Sequence, residues 1–303
     1  MPSGVTAEEL IRAPLCAGPD PDTRSPRFLL PAGSTDCHAH VFGPVARYPY
    51  SAGRVYTPPD ASPADYWRML RTLGVTRAVL VQPSVYGTDN RAMLDALAAY
   101  PGCMRGVAVV EEWITDAELE RLHAAGVRGI RFNIVDVKAE EKGRLPIDVV
   151  RRMAERVRPL GWHVQFLMHV ADFPGLDAMF AGFPTDIVID HFGYMPTANG
   201  INNPGFQALL RLLGSARCWV KFTGAYRISR AAMPCRDVTP YARALVAANP
   251  GRVVWGTDWP HPKHEGAMPN DGEMCDRLLE WLPDERQRDL ALVENPARLY
   301  GFR

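Results

Sequence analysis

Short runs of β-branched and other apolar residues alternate along this chain with longer segments in which apolar residues recur at helical spacing. The short runs lie near 35–40, 77–83, 104–110, 127–132, 162–169, 186–191, 217–223 and 252–258. The amphipathic segments between them include 62–73, 89–99, 115–125, 146–159, 203–214 and 236–248. Strands separated by helices form parallel βαβ units, so the pattern predicts an α/β protein.

Eight such units favour a single closed (β/α)8 barrel, or TIM barrel, over residues 35–303. A chain of 303 residues has the usual length of one such barrel, whereas an open doubly wound sheet usually has fewer strands. No G-x-G-x-x-G turn follows the first strand, which also disfavours a dinucleotide-binding sheet. Residues 1–34 are predicted to form an irregular arm because they are rich in proline, which breaks helices and donates no ladder hydrogen bond.

Composition and charge narrow the class of protein. The chain has 34 basic and 34 acidic residues, so net charge provides no general attraction to nucleic acid or to an acidic membrane. No segment approaches the ~18 consecutive apolar residues of a membrane span, and the first residues lack the pattern of a secretory signal. The six cysteines are scattered, as is typical of reduced thiols. We therefore expect a cytoplasmic protein that acts on a small molecule; the sequence does not indicate its oligomeric state.

Ionisable residues stand at the predicted carboxyl ends of three strands. His38 and His40 end the first strand, His191 ends the sixth and Asp258 ends the eighth. Catalytic groups of a TIM barrel lie at this end of the strands. A single histidine there is more often structural, and Asp258 alone could cap a helix. Four such groups converging on one barrel mouth instead predict a catalytic site.

Other strands add candidate substrate-binding groups at the same mouth. Arg131 ends strand four and Arg227 follows strand seven; the guanidinium fork suits a carboxylate, and a rim salt bridge is the alternative, more so for Arg227 than for Arg131. Ser84 follows strand two, where its hydroxyl could bind substrate or cap a turn. Strand five, 162–169, alternates in polarity, so its odd-numbered residues are predicted to face the barrel interior, with His169 at the mouth.

Six segments resemble the metal-independent lactonase branch of the amidohydrolase superfamily, and within it the 2-pyrone-4,6-dicarboxylate lactonase family. They read DCHAHVFGP (36–44), VLVQPSVYGTDN (79–90), GVRGIRFN (126–133), VIDHFG (188–193), WGTDWPHP (255–262) and NPARLYGF (295–302). The likeness runs from about residue 28 to the C-terminus. It implies a hydrolase without a metal cofactor that opens a small carboxylated lactone, either 2-pyrone-4,6-dicarboxylate or a relative such as a substituted muconolactone, in the breakdown of aromatic compounds.

The resemblance also implies roles for individual residues. Three imidazoles would surround the lactone carbonyl and donate hydrogen bonds to its oxyanion: those of His38, His40 and His191. Asp258 would be the general base. Contacts to the substrate would come from Arg131, Arg227, Ser84 and Tyr56. His169, from strand five, joins these as a substrate-binding candidate.

Two positions depart from the resemblance. Val137 stands where the family has a further carboxylate-binding arginine, and Leu167 stands where it has a tyrosine. Both changes fall in the wall that would bind the acid groups. They leave room for an acidic lactone other than the dicarboxylate, such as a substituted muconolactone or a sugar-acid lactone.

Two other classes of function stay open. A zinc-dependent hydrolase or decarboxylase would bind one ion through His38, His40, His169 and Asp258. Arg131 disfavours this reading, because its charge would raise the energy of a nearby cation. A non-catalytic ligand-binding barrel would have no need for the four strand-end groups. We expect the metal-free lactonase.

Overall fold

One ring of eight parallel strands forms the centre of the computed structural model, which describes residues 13–137 and 142–303. The strands are β1 (Thr35–Ala39), β2 (Arg77–Val81), β3 (Met104–Ala108), β4 (Val127–Asn133), β5 (His163–Leu167), β6 (Ile187–Ile189), β7 (Cys218–Phe222) and β8 (Val253–Trp255). Each strand pairs with the next one along the chain. β8 returns to β1, where the His40 amide donates to the Trp259 carbonyl over 2.8 Å. The predicted (β/α)8 barrel is confirmed.

Helices follow the strands and cover the outside of the ring. They are α1 (Pro63–Leu73), α2 (Arg91–Ala99), α3 (Asp116–Ala124), α4 (Ile147–Val157), α5 (Leu176–Met179), α6 (Pro204–Gly214), α7 (Thr239–Ala248), α8 (Asp271–Cys275), α9 (Leu278–Trp281), α10 (Glu285–Asp289) and α11 (Asn295–Tyr300). Local chemistry sets their ends. At the start of α1 the Ser62 hydroxyl accepts from the Asp65 amide over 3.2 Å, and Gly74 ends this helix in the left-handed conformation.

Two sets of buried apolar residues hold the barrel together. The larger set lies between strands and helices, and includes Val164 and Phe166 of β5. The smaller set fills the interior of the ring and consists of Cys37, Val79, Val81, Val107, Val188, Trp219, Val254, Tyr300 and Phe302. Because the even-numbered residues of β5 face the helices, the predicted alternation of this strand is confirmed.

A buried carboxylate closes the ring between β1 and β8. Asp36 accepts hydrogen bonds from the His38 amide (3.0 Å), the Thr257 amide (3.0 Å), the Thr257 hydroxyl (2.5 Å) and the Tyr66 hydroxyl (2.9 Å). The Asp258 amide in turn donates to the His38 carbonyl over 2.8 Å. A buried carboxylate is costly without donors, so these bonds fix the two strand ends relative to each other.

The described part of the proline-rich arm, 13–34, contains no helix and only an isolated bridge. It lies against the barrel: the Cys16 amide donates to the Thr57 carbonyl over 2.9 Å, and the Arg24 amide donates to the Asn270 side chain over 3.1 Å. All six cysteines are free thiols. Among the described residues, no helix combines the length and the apolar character that a membrane span requires.

Gly256, just after β8, leaves no room for a side chain beside His38. A Cβ atom there would lie 2.6 Å from the His38 amide nitrogen and 2.8 Å from the His38 Cβ. We expect Gly256→Ala to lower the free energy of unfolding by about 1–3 kcal/mol, the usual effect of overpacking, and to displace His38. Chemical denaturation measures the loss.

Gly214→Ala is the matched control, because no described atom lies within 4 Å of a Cβ at the end of α6. This helical position should keep or slightly increase its stability when alanine replaces glycine. A Gly256→Ala protein that is as stable as the control would contradict the close contact between the two strands.

Candidate active site

The carboxyl ends of the strands open into one narrow polar pocket of about 350 Å³, mouth included. The wall consists of His40, Tyr56, Pro83, Ser84, Arg131, Asp136, Leu167, His191, Tyr194, Arg227, Asp258, Pro262 and Lys263. It thus contains seven of the nine site residues predicted from the sequence. The other two are His38, which lies beneath the pocket, and His169.

Local backbone geometry directs the predicted catalytic side chains to the base of this pocket. The register of β1 against β2 shifts between Asp36 and Ala39, which interrupts the regular alternation just where His38 enters the site. His191 follows β6 with a φ of 52°, and Asp258 follows β8 with a φ of 69°. Positive φ is uncommon for residues with side chains and clusters where function requires a particular direction.

Three imidazoles and one carboxylate meet at the base: His38, His40, His191 and Asp258, here called the acceptor cluster. The Asp258 Oδ1 atom lies 3.7 Å from His38 Nε2 and 3.9 Å from His40 Nε2. The ring centroids of His38 and His191 are 4.9 Å apart. Neither His38 Nε2 nor Asp258 Oδ1 has a hydrogen-bond partner among the described residues. Polar atoms this deeply buried are normally paired, so the cluster is built to receive a ligand or water.

The protons of two rings can be placed from their partners. His40 Nδ1 is 2.7 Å from the Val81 carbonyl oxygen, and His191 Nδ1 is 3.1 Å from the Thr223 carbonyl oxygen. A carbonyl only accepts, so the neutral rings carry their proton on Nδ1 and present a lone pair at Nε2. The bottom of the pocket is therefore lined with hydrogen-bond acceptors.

Burial keeps these imidazoles neutral. Removal from water lowers the pKa of His40 to about 4 and places the pKa of His38 well below its ordinary value. Neutral His40 and His191 cannot donate from Nε2. This differs from the expectation that these rings donate to an oxyanion; they are instead suited to accept protons from a bound water.

Asp258 presents only one oxygen to the cluster. Its Oδ2 atom accepts from Arg227 Nε over 2.6 Å and from the Tyr226 hydroxyl over 2.5 Å. Burial alone would raise the pKa of this carboxyl, but the Arg227 guanidinium and the neighbouring imidazoles hold the pKa well below its usual range. Asp258 is thus ionised. The hydrogen bonds to Oδ2 orient its side chain, and Oδ1 is available to a ligand.

A second buried carboxylate, Asp190, connects the pocket wall with the cluster. Its Oδ2 accepts from Arg131 Nε (3.2 Å), Arg131 Nη2 (3.1 Å) and Gln165 Nε2 (3.1 Å). Its Oδ1 lies 3.3 Å from His38 Nδ1 and 3.7 Å from Lys221 Nζ. Lys221 is wholly buried, which lowers its pKa to about 8, and it donates to Gln165 Oε1 over 2.8 Å. Arg131 is thereby held in place by the same group that contacts His38.

His169 does not join the acceptor cluster. Its ring stacks on Tyr194, with centroids 4.5 Å apart, and its Nδ1 contacts the Tyr194 carbonyl oxygen at 3.0 Å. The chain turns away after β5 into a short 3-10 helix at Val170–Asp172. The predicted zinc ligand set that includes His169 is therefore not brought together.

A different subset could hold a cation. His38, His191 and Asp258 each offer one ligand atom, and these atoms lie within 4.8 Å of one another. Imidazoles whose other nitrogen bonds a carbonyl or carboxylate oxygen are the usual arrangement around a protein-bound metal. The donor set therefore fits a divalent ion as well as a water molecule.

Several site residues were not identified from the sequence: Asp190, Lys221, Gln165, Tyr194, Tyr226, Asp136 and Lys263. A signal existed for Lys221, since a lysine within the apolar run of β7 must be buried and paired. Asp190 directly precedes His191, and inward alternation from Val188 could have placed it. Val137, one of the two departures from the family pattern, is not in the pocket wall, whereas Leu167 is.

This architecture, a closed βα barrel with imidazoles and a carboxylate at the ends of strands one, six and eight, is that of a hydrolytic barrel enzyme. The chain belongs to the amidohydrolase family, whose sequence profile matches residues 35–302. The match covers the complete ring of strands and the final helix. The superfamily membership indicated by the sequence motifs is confirmed.

Individual relatives are lactone hydrolases. The chain is 40% identical over 284 residues to 2-pyrone-4,6-dicarboxylate hydrolase of Comamonas testosteroni, covering 91% of this chain and 92% of the relative. It is 39% identical over 295 residues to 4-sulfomuconolactone hydrolase of Rhizobium radiobacter, covering 95% and 96%. A solved structure from Pseudomonas putida, provisionally assigned as a 2-pyrone-4,6-dicarboxylic acid hydrolase, superposes with a TM-score of 0.78 at 35% identity, covering 90% of this chain and 99% of that one.

The placement of the imidazole protons is open to direct measurement. We expect ¹⁵N NMR of the histidine rings to show His40 and His191 neutral, with the proton on Nδ1, at pH 7. His40 should become protonated only as the pH falls to about 4, since burial lowers its pKa to that value. A His40→Gln variant assigns the signal. Titration of His40 near 6.5, the value of a solvated ring, would contradict the buried neutral cluster.

Proposed function

We propose that this protein hydrolyses a small lactone that carries at least one carboxylate group. Two observations support the proposal: the pocket contains three members of the acceptor cluster beside two guanidinium groups, and the relatives named above are hydrolases of acidic lactones. The observation that carries it is the open Oδ1 atom of Asp258, which faces the Nε2 atoms of His38 and His40 at the base of the pocket.

Two arginines whose side chains are fixed by hydrogen bonds would bind the substrate carboxylate. Arg131 is held by Asp190, and Arg227 is held by Asp258 and by the Pro262 carbonyl, to which its Nη2 donates over 3.0 Å. With residues 13–137 and 142–303 as partners, each guanidinium forms hydrogen bonds through Nε and Nη2. Each Nη1 group is thus left to donate to a substrate carboxylate, in a geometry that needs no rearrangement on binding.

Hydrolysis would begin with a water molecule bound to Asp258 Oδ1 and to an imidazole Nε2. As the water oxygen attacks the lactone carbonyl carbon, its proton passes to the cluster. Because Asp258 is a weak base beside Arg227, we infer that a neighbouring imidazole takes this proton onward. The carbon–oxygen bond of the ring then breaks, and the released oxygen receives the proton. A base positioned in this way contributes roughly 10²–10⁴-fold to the rate.

The charge that develops on the carbonyl oxygen needs donors, and the neutral imidazoles do not provide them. Donors on the arginine side of the wall are the two guanidinium groups and the hydroxyls of Ser84 and Tyr56, and the wall also contains Tyr194 and Lys263. Donors aimed at a developing oxyanion in a site shielded from water contribute about 3–4 kcal/mol each. We therefore assign oxyanion stabilisation to this side of the pocket.

Replacement of the open carboxylate tests the reaction. We expect Asp258→Asn to lower kcat by at least ~10²-fold on an acidic lactone, while circular dichroism shows a folded barrel. The assay is a screen over acidic lactones such as 2-pyrone-4,6-dicarboxylate. Asp148→Asn, at an exposed position on α4, is the matched control and should behave as wild type. Wild-type turnover in Asp258→Asn would remove this residue from the mechanism.

We further propose that the reaction needs no metal. Arg227 already compensates the Asp258 carboxylate at 2.6 Å, and a divalent ion on Oδ1 would be repelled by this guanidinium. A zinc-dependent hydrolase is the second candidate, because the lone pairs of the acceptor cluster also suit an ion. In that case His38, His191 and Asp258 would hold it, and the ion would supply an activated hydroxide.

Metal removal distinguishes the two candidates. If the proposal is right, protein treated with a chelator and found free of metal by elemental analysis keeps its kcat, and added zinc does not raise it. Loss of turnover on chelation, followed by recovery with zinc, would favour the second candidate. Bound zinc should then fall in His191→Ala but not in His169→Ala, the matched control outside the cluster.

A further inference from the structure

An ion pair crosses the mouth of the pocket. Asp136 follows β4 and Lys263 follows β8, and these two strands lie on opposite sides of a ring of eight. Lys263 Nζ lies 2.5 Å from Asp136 Oδ1, and both residues belong to the pocket wall. The pair therefore joins loops from opposite sides of the barrel at the wall of the pocket that contains the acceptor cluster.

Lys263 is directed into the pocket by its surroundings. Its backbone has a φ of 61°, and His261 two residues earlier has a φ of 59°, so the loop after β8 is held in a conformation that is rare for residues with side chains. The ammonium lies 6.0 Å from the centre of the Tyr56 ring. Lys263 is thus a positioned group of the mouth and not a freely solvated lysine.

The three cations of the wall differ in how tightly their partners hold them. Arg131 and Arg227 are paired with Asp190 and Asp258, whose side chains are wholly buried. The Lys263 side chain is 38% exposed and its partner Asp136 is 17% exposed. Ion pairs that are open to water are weak, whereas breaking a buried pair leaves an uncompensated charge. Only the Lys263 partner can be exchanged at low cost.

We propose that Lys263 determines specificity by binding a second anionic group at the outer end of the substrate, and that Asp136 occupies this lysine until the substrate arrives. The proposal rests on the function proposed above and names its substrate class: a lactone with two anionic groups. The inner group would bind at Arg131 and Arg227, and the outer group, a carboxylate or a sulfonate, would replace Asp136 on Lys263.

The exchange differs from a simple latch, in which the ion pair only closes the mouth. A latch is broken equally by removing either partner, so Lys263→Met and Asp136→Asn would change ligand binding in the same direction. In an exchange site the two variants have opposite effects. Lys263→Met removes the cation that the outer anion needs, whereas Asp136→Asn removes its competitor.

Calorimetry with ligands that cannot be hydrolysed tests the proposal independently of turnover. The probes are pyridine-2,4-dicarboxylate and the two monoacids, pyridine-2-carboxylate and pyridine-4-carboxylate. We expect the wild type to prefer the diacid, and Lys263→Met to reduce this preference about 10- to 100-fold, the effect of losing one charge-assisted hydrogen bond. Asp136→Asn should increase the preference. Lys142→Met, at an exposed lysine six residues beyond Asp136, is the matched control and should leave the preference unchanged.

Three results would overturn the proposal: no preference of the wild type for the diacid, an unchanged preference in Lys263→Met, or a shift of both variants in the same direction. A parallel assay of lactone hydrolysis separates this outcome from failure of the proposed function. A protein that hydrolyses monoacid and diacid lactones without the expected effect of Lys263→Met keeps its function and loses only this inference.

Discussion

Two buried carboxylates, Asp190 and Asp258, determine how the mouth of this barrel is organised. A buried charge is stable only with partners, and each has them on one oxygen: Arg131 and Gln165 for Asp190, Arg227 and Tyr226 for Asp258. The second oxygen of Asp258 faces His38 and His40, and that of Asp190 lies near His38 and the Lys221 ammonium. The same ion pairs that make burial possible therefore immobilise the guanidinium groups and orient the reactive oxygen, while burial keeps the histidines neutral.

Much of the fold could be predicted because the signal is periodic. Eight apolar runs separated by amphipathic segments specify a closed ring, and alternation specifies which side chains of β5 point inward. Seven of the eight strand ends were placed too late, that of strand four being one residue early: the eighth run was predicted over 252–258, whereas β8 is Val253–Trp255. Residues 256–258 continue the polarity pattern without belonging to the strand; their amides bond to Phe222 of β7 and to Asp36 and His38 of β1, the two neighbouring strands.

The candidate site was predictable only in part. His40, His191 and Asp258 stand at strand ends, where the fold brings such residues together, and this required no knowledge of side-chain contacts. His169 has the right parity but the wrong position, because the chain leaves the barrel axis after Leu167 and the ring turns to Tyr194. Lys263 is one lysine in a loop without periodicity, so nothing in the sequence separates it from a solvated residue. Its place depends on backbone angles that only the folded loop defines.

The seam between β1 and β8 has a consequence for how the protein acquires activity. Asp36 and Thr257, whose bonds close the ring, are 221 positions apart in the chain. The ribosome therefore adds His38 and His40 early and Asp258, the carboxylate that they face, late. Contacts between residues so far apart in sequence form slowly. A nascent chain that has folded its first seven strands has an open edge and an incomplete centre. The acceptor cluster can form only after translation has passed the eighth strand. An incompletely synthesised chain is therefore expected to be inactive.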